Sequence, residues 1–391
     1  MPTYNHPGVY IEELASGSRP IASVSSAIAI FIGTTANSGA TEGEPTFITK
    51  YEDYEDQFGG IGTTGDFPTG DAMGHSVLAY FLNGGSKAYI AHLNSTTLSD
   101  YQDVFKRMLK IREITILCLP AQYLPGDGSG NTIVDDAIAH CEKMQNRMLI
   151  VDIEPGVEMQ SAADVTTLSL PTSTYGATYY PWVEVSNPHY NAETNPGVPS
   201  SVFVPPSGFA AGTWAKTDSK RGIWKAPAGI QTSLLGIAGL QYTAGNDEQD
   251  FLNPAGVNAL RSLSNYGTVV WGTRTLSTNA DPEWRYIPVR RTAMFIEESL
   301  YNGIQWAVFE GNNHVLWSSL RANIEAFMNR LFRAGAFQGE STSDAYFVRC
   351  GLGDTMTQTD IDKGQVIVLV GFAPLKPAEF VILRLQQKVG S

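Results

Sequence analysis

The end of this chain constrains it most. After Lys376-Pro377-Ala378-Glu379, Val381, Leu383 and Leu385 fall on one face of an extended segment. Phe380 and Ile382 begin the other face, and Arg384 and Gln386 finish it. Alternation with a period of two is the mark of a β-strand. No turn and no partner strand follow it in the sequence. The first residues repeat the situation: Val9, Tyr10, Ile11 and Glu12 form a short strand between Pro7-Gly8 and the polar run Ala15 to Pro20. An apolar strand edge aggregates unless it is paired or covered. Two extended ends therefore predict a subunit that builds a polymer by lending strands to its neighbours.

The body between these ends is large. With 391 residues, 43% of them hydrophobic and 17% charged, the chain has material for two domains or more. A net charge of −13 argues against a nucleic-acid binder. No apolar run of about 18 residues is present, so no membrane span is expected. No basic region followed by an apolar stretch opens the chain, so no signal peptide is expected either. Cys118, Cys141 and Cys350 lie far apart. Sparse cysteines in odd number fit reduced thiols better than a disulfide framework.

Residues 27–153 alternate strand and helix. Strands are predicted at 27–33, 46–49, 87–91, 114–119 (stopped by Pro120) and 148–153, with helices at about 71–83, 100–112 and 133–144. This rhythm implies βαβ units and a mostly parallel sheet, so the fold class is mixed α/β. Between Pro155 and Pro227 the chain is rich in Pro, Gly, Ser and Asn and reads as loops. Its aromatic residues, Tyr179, Tyr180, Trp182, Trp214 and Trp224, predict that these loops pack. A short strand is expected at 267–272. The strongest helical pattern runs from His314 to Ala334, with Leu316, Leu320, Ile324, Phe327 or Met328, and Leu331 on one stripe. Arg321, Glu325, Asn329 and Arg333 mark a polar stripe that is either a solvated face or a contact surface for a partner.

Catalytic chemistry has one candidate. Asp152, His189 and Ser207 stand in an Asp, His, Ser order, but Ser207 lies between Pro205-Pro206 and Gly208, and neither it nor His189 has the local context of a triad. The expectation is that none of them is catalytic. The six histidines show no paired metal-ligand spacing, and adjacent His140 and Cys141 cannot face one metal from a helix. The segment Gly126 to Asn131 lacks the Lys-Ser/Thr of a phosphate loop and reads as a surface turn. No cofactor and no metal are expected.

Four segments carry a resemblance. They are Tyr4 to Glu13; Val204-Pro205-Pro206-Ser207-Gly208-Phe209 running on to Arg221-Gly222-Ile223-Trp224-Lys225-Ala226-Pro227-Ala228-Gly229; Asn253-Pro254-Ala255-Gly256-Val257-Asn258 with Val270-Trp271-Gly272-Thr273-Arg274-Thr275; and Gly371-Phe372-Ala373-Pro374-Leu375-Lys376-Pro377-Ala378-Glu379-Phe380-Val381. In that order, over nearly the whole chain, they resemble the contractile tail sheath proteins of bacteriophages and related injection machines. Without a long central insertion, the chain is similar to the compact members.

The resemblance implies a subtilisin-like α/β core with a smaller N-terminal α/β domain and extended arms. It suggests an arm at 1–21, an outer domain at 22–100, a core at 101–370 and a second arm at 371–391. It implies hexameric rings stacked helically around an inner tail tube, with baseplate and tail terminator proteins as further partners and no direct contact with nucleic acid. The place would be a virion tail or injection particle assembled in a bacterial cytoplasm. The strand arms would be Val9, Tyr10, Ile11 and Glu12 at one end and Phe380, Val381, Ile382, Leu383 and Leu385 at the other. Gly17, Pro20, Gly371, Pro374 and Pro377 are the expected hinges, and Arg321, Glu325, Arg330 and Arg333 the expected tube-facing residues. The competing non-enzymatic reading is another self-assembling subunit, of a shell or a fibre.

Overall fold

The computed structural model describes residues 19–62, 71–277 and 279–379. The expected strand arms, Val9 to Glu12 and Phe380 to Leu385, and the expected hinge Gly17 lie outside the described residues. The chain divides into two compact units. One holds residues 23–298 and 374–379, the other residues 19–22 and 299–373.

The first unit is built on eight strands: β1 (Ala29–Gly33), β2 (Thr46–Ile48), β3 (Ala88–His92), β4 (Ile116–Leu124), β5 (Met148–Ile153), β6 (Gly176–Tyr180), β10 (Val257–Leu263) and β11 (Gly267–Val270). Their order across the sheet is β11-β10-β6-β5-β4-β1-β3-β2. Every pairing from β10 to β3 is parallel, and only the edge strands β11 and β2 run antiparallel. Helices α1 (Tyr51–Phe58), α2 (Ala72–Leu82), α3 (Leu98–Met108), α4 (Thr132–Met144), α5 (Ala162–Thr167), α6 (Ser207–Arg221) and α7 (Asn246–Leu252) fill the crossovers. A small antiparallel sheet, β8 (Ser201–Val204), β7 (Val183–Ser186) and β9 (Gly239–Leu240), completes the unit.

The mixed α/β expectation holds, with the local rules visible. Asp71 caps α2 by accepting from the Gly74 amide at 3.0 Å, and Asn131 caps α4 from the Ile133 amide at 2.9 Å. Helix α3 begins at Leu98 because Thr97 and Asp100 form a capping box there, earlier than the hydrophobic spacing placed it. The strand expected to stop at Pro120 continues to Leu124. Its register against β5 shifts between Cys118 and Tyr123, and Ala121 takes a positive φ of 74°. Proline is tolerated in a sheet at such an irregularity.

The region read as packed loops holds β6, β7, β8 and α6. Helix α6 escaped because its packing demands small residues. A Cβ on Gly208 would lie 2.3 Å from the Ser76 carbonyl oxygen, and one on Gly212 would lie 2.6 Å from that of Tyr80. The two helices thus touch backbone to backbone, and a helix selected for contact that close resembles a loop in composition.

Residue 100, expected as a boundary, falls within the first unit. Strands β1, β2 and β3 precede it and β4 to β6 follow it, yet all share one sheet and one buried core from Ala29 to Met294. Parallel β1 pairs with both β3 and β4, so the hydrogen-bond ladder itself crosses that boundary. Near the other end, the strand arm expected from residue 371 begins differently: Gly371 pairs inside a strand of the second unit, and residues 374–379 belong with the first.

Helix α8 (Ile287–Gly303) carries the chain from the first unit into the second. There α9 (His314–Arg333), within one residue of its expected bounds, is followed by α10 (Thr342–Ala345), β12 (Tyr346–Arg349), α11 (Gln358–Asp362) and β13 (Leu369–Phe372). Strands β12 and β13 pair antiparallel. One buried cluster here holds Leu316, Trp317, Leu320, Cys350 and Met356, with Ile304, Trp306 and Val368 half-buried around it, and Ile324, Phe327, Met328, Leu331, Ala336 and Phe337 are buried as well.

Candidate assembly surfaces

The three triad-ordered residues separate into a pair and an outlier. Strand β5 carries Asp152 and the first turn of α6 carries Ser207, both buried. The Ser207 hydroxyl donates to Asp152 Oδ2 at 2.6 Å, and its amide donates to Oδ1 at 3.1 Å. Burial raises the Asp152 carboxyl to about 7, against the lowering effect of those two bonds. His189 donates from Nε2 to the Ile61 carbonyl at 3.0 Å instead. A serine hydroxyl given directly to a buried carboxylate is a tie between strand and helix. His140 and Cys141 also part company. The His140 ring stacks on Phe105 and bonds to the Arg147 guanidinium at 3.2 Å, while Cys141 is buried in the core. Among the described residues no group of three or more His, Cys, Asp or Glu is placed to hold a metal, and no helix is long and apolar enough to cross a membrane.

The polar stripe of α9 has partners within its own unit. Arg321 donates to the Cys350 carbonyl and, at 3.2 Å, to Ser318 Oγ. Arg330 donates to the Ile21 carbonyl and lies over the Phe327 ring. Glu325, Arg330 and Arg333 are exposed, and Arg321 is half-buried. The exposed face also presents Val315, Ser318, Ala322 and Ala326, so it offers few charges and little bulk.

The hairpin of β12 and β13 shows an unfinished sheet. Tyr346, Val348, Val370 and Phe372 alternate onto one face, where Phe337 meets Tyr346 and Phe372. Phe347, Arg349 and Leu369 alternate onto the other, with Phe347 and Leu369 nearly half exposed. The Phe347 ring lies across Gly371, where a Cβ would sit 2.3 Å from a ring carbon. That close approach accounts for the glycine without any hinge. Among the described residues neither strand pairs beyond its partner.

A third surface lies where the C-terminal strap rejoins the first unit. Pro377, Ala378 and Glu379 wall a cleft of about 500 Å³ together with Lys225, Arg261 and Trp271. Arg274 and Glu379 form a bidentate ion pair at this wall, at 2.9 and 2.6 Å. The pairing of residues 105 apart was invisible to sequence patterns, although both belong to segments singled out above.

Known proteins resemble the chain along its length. A model of the phage tail sheath protein central domain matches residues 94–276, and a model of the phage tail sheath C-terminal domain matches residues 279–388. A putative prophage major tail sheath protein of Pseudomonas aeruginosa (strain UCBPP-PA14) is 27% identical over 183 residues, 45% of this chain and 44% of that protein. The tail sheath protein of Vibrio phage KVP40 is 25% identical over 183 residues, 26% of its length. The match thus spans less than half the length of these curated relatives. Among solved structures, the PVC sheath complex of an extracellular contractile injection system, in the contracted state, matches with a TM-score of 0.77 and 29% identity, over 100% of this chain and 99% of that one. The helical sheath of the anti-feeding prophage in the contracted state matches with a TM-score of 0.76 and 31% identity, over 99% and 100%. With its sheet topology and hairpin alike embedded in that full-length match, the chain belongs to the contractile tail sheath family of phage tails and injection systems.

Proposed function

We propose that this chain is the structural subunit of a contractile sheath. It polymerises as hexameric rings stacked helically around an inner tube, and the lattice contracts to drive that tube through a target envelope. The full-length likeness to sheaths solved in the contracted state carries this reading. The unfinished hairpin supports it: strands from neighbouring chains, Val9 to Glu12 and Phe380 to Leu385, would complete the β12–β13 sheet by strand addition. The hinges lie at the arm roots: Gly17 and Pro20 at one end, and the residues beyond Glu379 at the other. The parallel sheet with its helices is the part that corresponds to a subtilisin-like core, used as a rigid body and not for catalysis.

Backbone hydrogen bonds in such joints persist while the bodies rotate and repack. Each subunit then needs only a few kcal/mol of difference between the two lattices. Tube, baseplate and tail terminator are the partners. Glu325, Arg330 and Arg333 on α9 are the tube-facing groups, with Arg321 bracing the helix behind them. Assembly takes place in the bacterial cytoplasm, and the product is a virion tail or an injection particle.

Electron microscopy of the purified chain, alone and co-expressed with its tube, tests the proposal. Hollow cross-striated cylinders are expected; closed shells or thin solid rods overturn it. A chain ending at Glu379 should fold and stay monomeric, and normal cylinders from it would refute strand exchange. Unchanged co-assembly of an Arg333→Glu variant with the tube would remove α9 from the tube contact.

A further inference from the structure

The strap that leads to the C-terminal arm ends in a polar cluster that its two prolines do not explain. Glu379, the last described residue at that end, places its carboxylate against the Arg274 guanidinium. Nε donates to Oε1 at 2.9 Å and a terminal nitrogen donates to Oε2 at 2.6 Å. The Tyr286 hydroxyl donates to the same Oε2 at 3.2 Å. The two charged side chains are only 9% and 13% exposed. An arginine fork on a carboxylate is among the stronger and more directional polar contacts, because two parallel bonds fix the plane of both groups.

Arg274 is itself held before Glu379 arrives. Its amide donates to Asn258 Oδ1 at 2.6 Å, its carbonyl accepts from Asn258 Nδ2 at 2.8 Å, and its guanidinium donates to the Asn253 carbonyl at 3.0 Å. The backbones of Arg274 and Tyr286 are bridged, flanked by bonds from Thr275 to Arg285 and from Ile287 to Thr273. Asn258 sits in β10, so this receptor is an extension of the eight-stranded sheet. Removing one partner of such a desolvated pair leaves the other charge uncompensated, which makes the contact costly to open.

We propose that Arg274, Tyr286 and Glu379 form a latch that anchors the root of the C-terminal arm to the sheet-bearing unit. The arm then pivots beyond Glu379, not at Pro374 or Pro377, and a pull from a neighbouring subunit passes through the Arg274 guanidinium into β10. Opening the latch would release the strap from Pro374 to Glu379, adding up to roughly 20 Å of reach. The pull rests on the sheath reading of the preceding subsection. The anchoring does not.

A nitroxide on Ala378→Cys tests the latch in the unpolymerised chain. Ala378 is exposed, while Cys118, Cys141 and Cys350 are buried, so labelling is selective. The spectrum of the otherwise unaltered chain should be dominated by an immobilised component. Glu379→Gln should convert most of it to a mobile one, leave the melting temperature of the chain within a few degrees, and reduce the yield of cylinders. The swap Arg274→Glu with Glu379→Arg should restore immobilisation. An unchanged spectrum in Glu379→Gln overturns the latch. An immobilised component regained in the swap would tie the effect to the charge pair and not to packing. Failure of the unaltered chain to form cylinders would count against the sheath and leave the spectral result standing.

Discussion

Strands β5 and β13 are both short and apolar, yet every residue of β5 is buried and no residue of β13 is. Composition does not separate Met148-Leu149-Ile150-Val151 from Leu369-Val370. Position does. β5 has a parallel neighbour on each side, and since its side chains alternate, full burial requires both faces of the sheet to be covered. β13 has one partner, β12, and one covered face. The inner strands of the first unit's large sheet are paired on both sides, whereas among the described residues both strands of the second unit's hairpin are edges, carrying half-exposed Phe347 and Leu369. On the sheath reading proposed above, one moves as a block and the other receives strands, and substitutions should affect them in opposite ways.

The sharpest test of the block is its buried ion pair. Arg291 grips Asp218 at 2.9 and 2.7 Å, Ser26 donates to the same carboxylate, and the Arg291 guanidinium lies 4.7 Å from the centre of the Trp214 ring. Both side chains are almost wholly buried. Asp218→Ala leaves the guanidinium without its counter-ion and should lower stability by about 3–5 kcal/mol in a denaturant melt. A loss below about 1 kcal/mol would mean that the sheet unit relaxes around the site and is not the rigid body supposed here.

Asp152 gives a smaller effect, with a pH signature. Its carboxyl is raised from 3.8 to about 7 in the folded chain. A raised folded value means that the favourable contribution is complete below the unfolded value and disappears as pH climbs through 7. The whole linkage amounts to roughly 4 kcal/mol, of which about 2–3 falls between pH 5 and 8. Asp152→Asn removes the ionisation while keeping one acceptor for Ser207. The variant should therefore gain on the unaltered chain by that amount as pH rises from 5 to 8. Parallel stability curves for the two proteins would show that Asp152 stays ionised throughout.

How much of this contrast was legible in the sequence follows from what each element depends on. β5 and α9 depend on their own residues: an unbroken apolar run fits a strand buried on both faces, and the 3.6-residue stripe from Leu316 to Leu331 marks a helix with one covered side. Helix α6 depends on Ser76 and Tyr80 of another helix, whose backbones leave room only for Gly208 and Gly212. Strand β6 lies inside the sheet, but Gly176 leads it, because the Leu276 side chain fills the place of a Cβ there. In both cases a long-range contact selected residues that read locally as loop. The ion pair of Glu379 with Arg274 could not be anticipated either, since nothing near Glu379 announces its partner 105 residues away. Nor does anything in the sequence announce the bond from Arg321 to the Cys350 carbonyl.

The receiving unit answers to a perturbation that leaves folding almost untouched. Leu369 is 49% exposed, on the open face of the hairpin opposite Arg349. Leu369→Lys places a second cation beside Arg349 on a surface that water already reaches, so the monomer should stay within about 0.5 kcal/mol of its stability. Incoming strands would have to bury that ammonium or turn it aside, and an unpaired charge is costly to take out of water. Cylinder yield should therefore fall steeply, as measured by sedimentation of the polymer, while the melting curve of the monomer hardly moves. If the variant polymerises as well as the unaltered chain, the open face of β12 and β13 stays in solvent in the assembled lattice. Phe347 and Leu369 would then be exposed simply because a two-stranded sheet has too little structure to cover them.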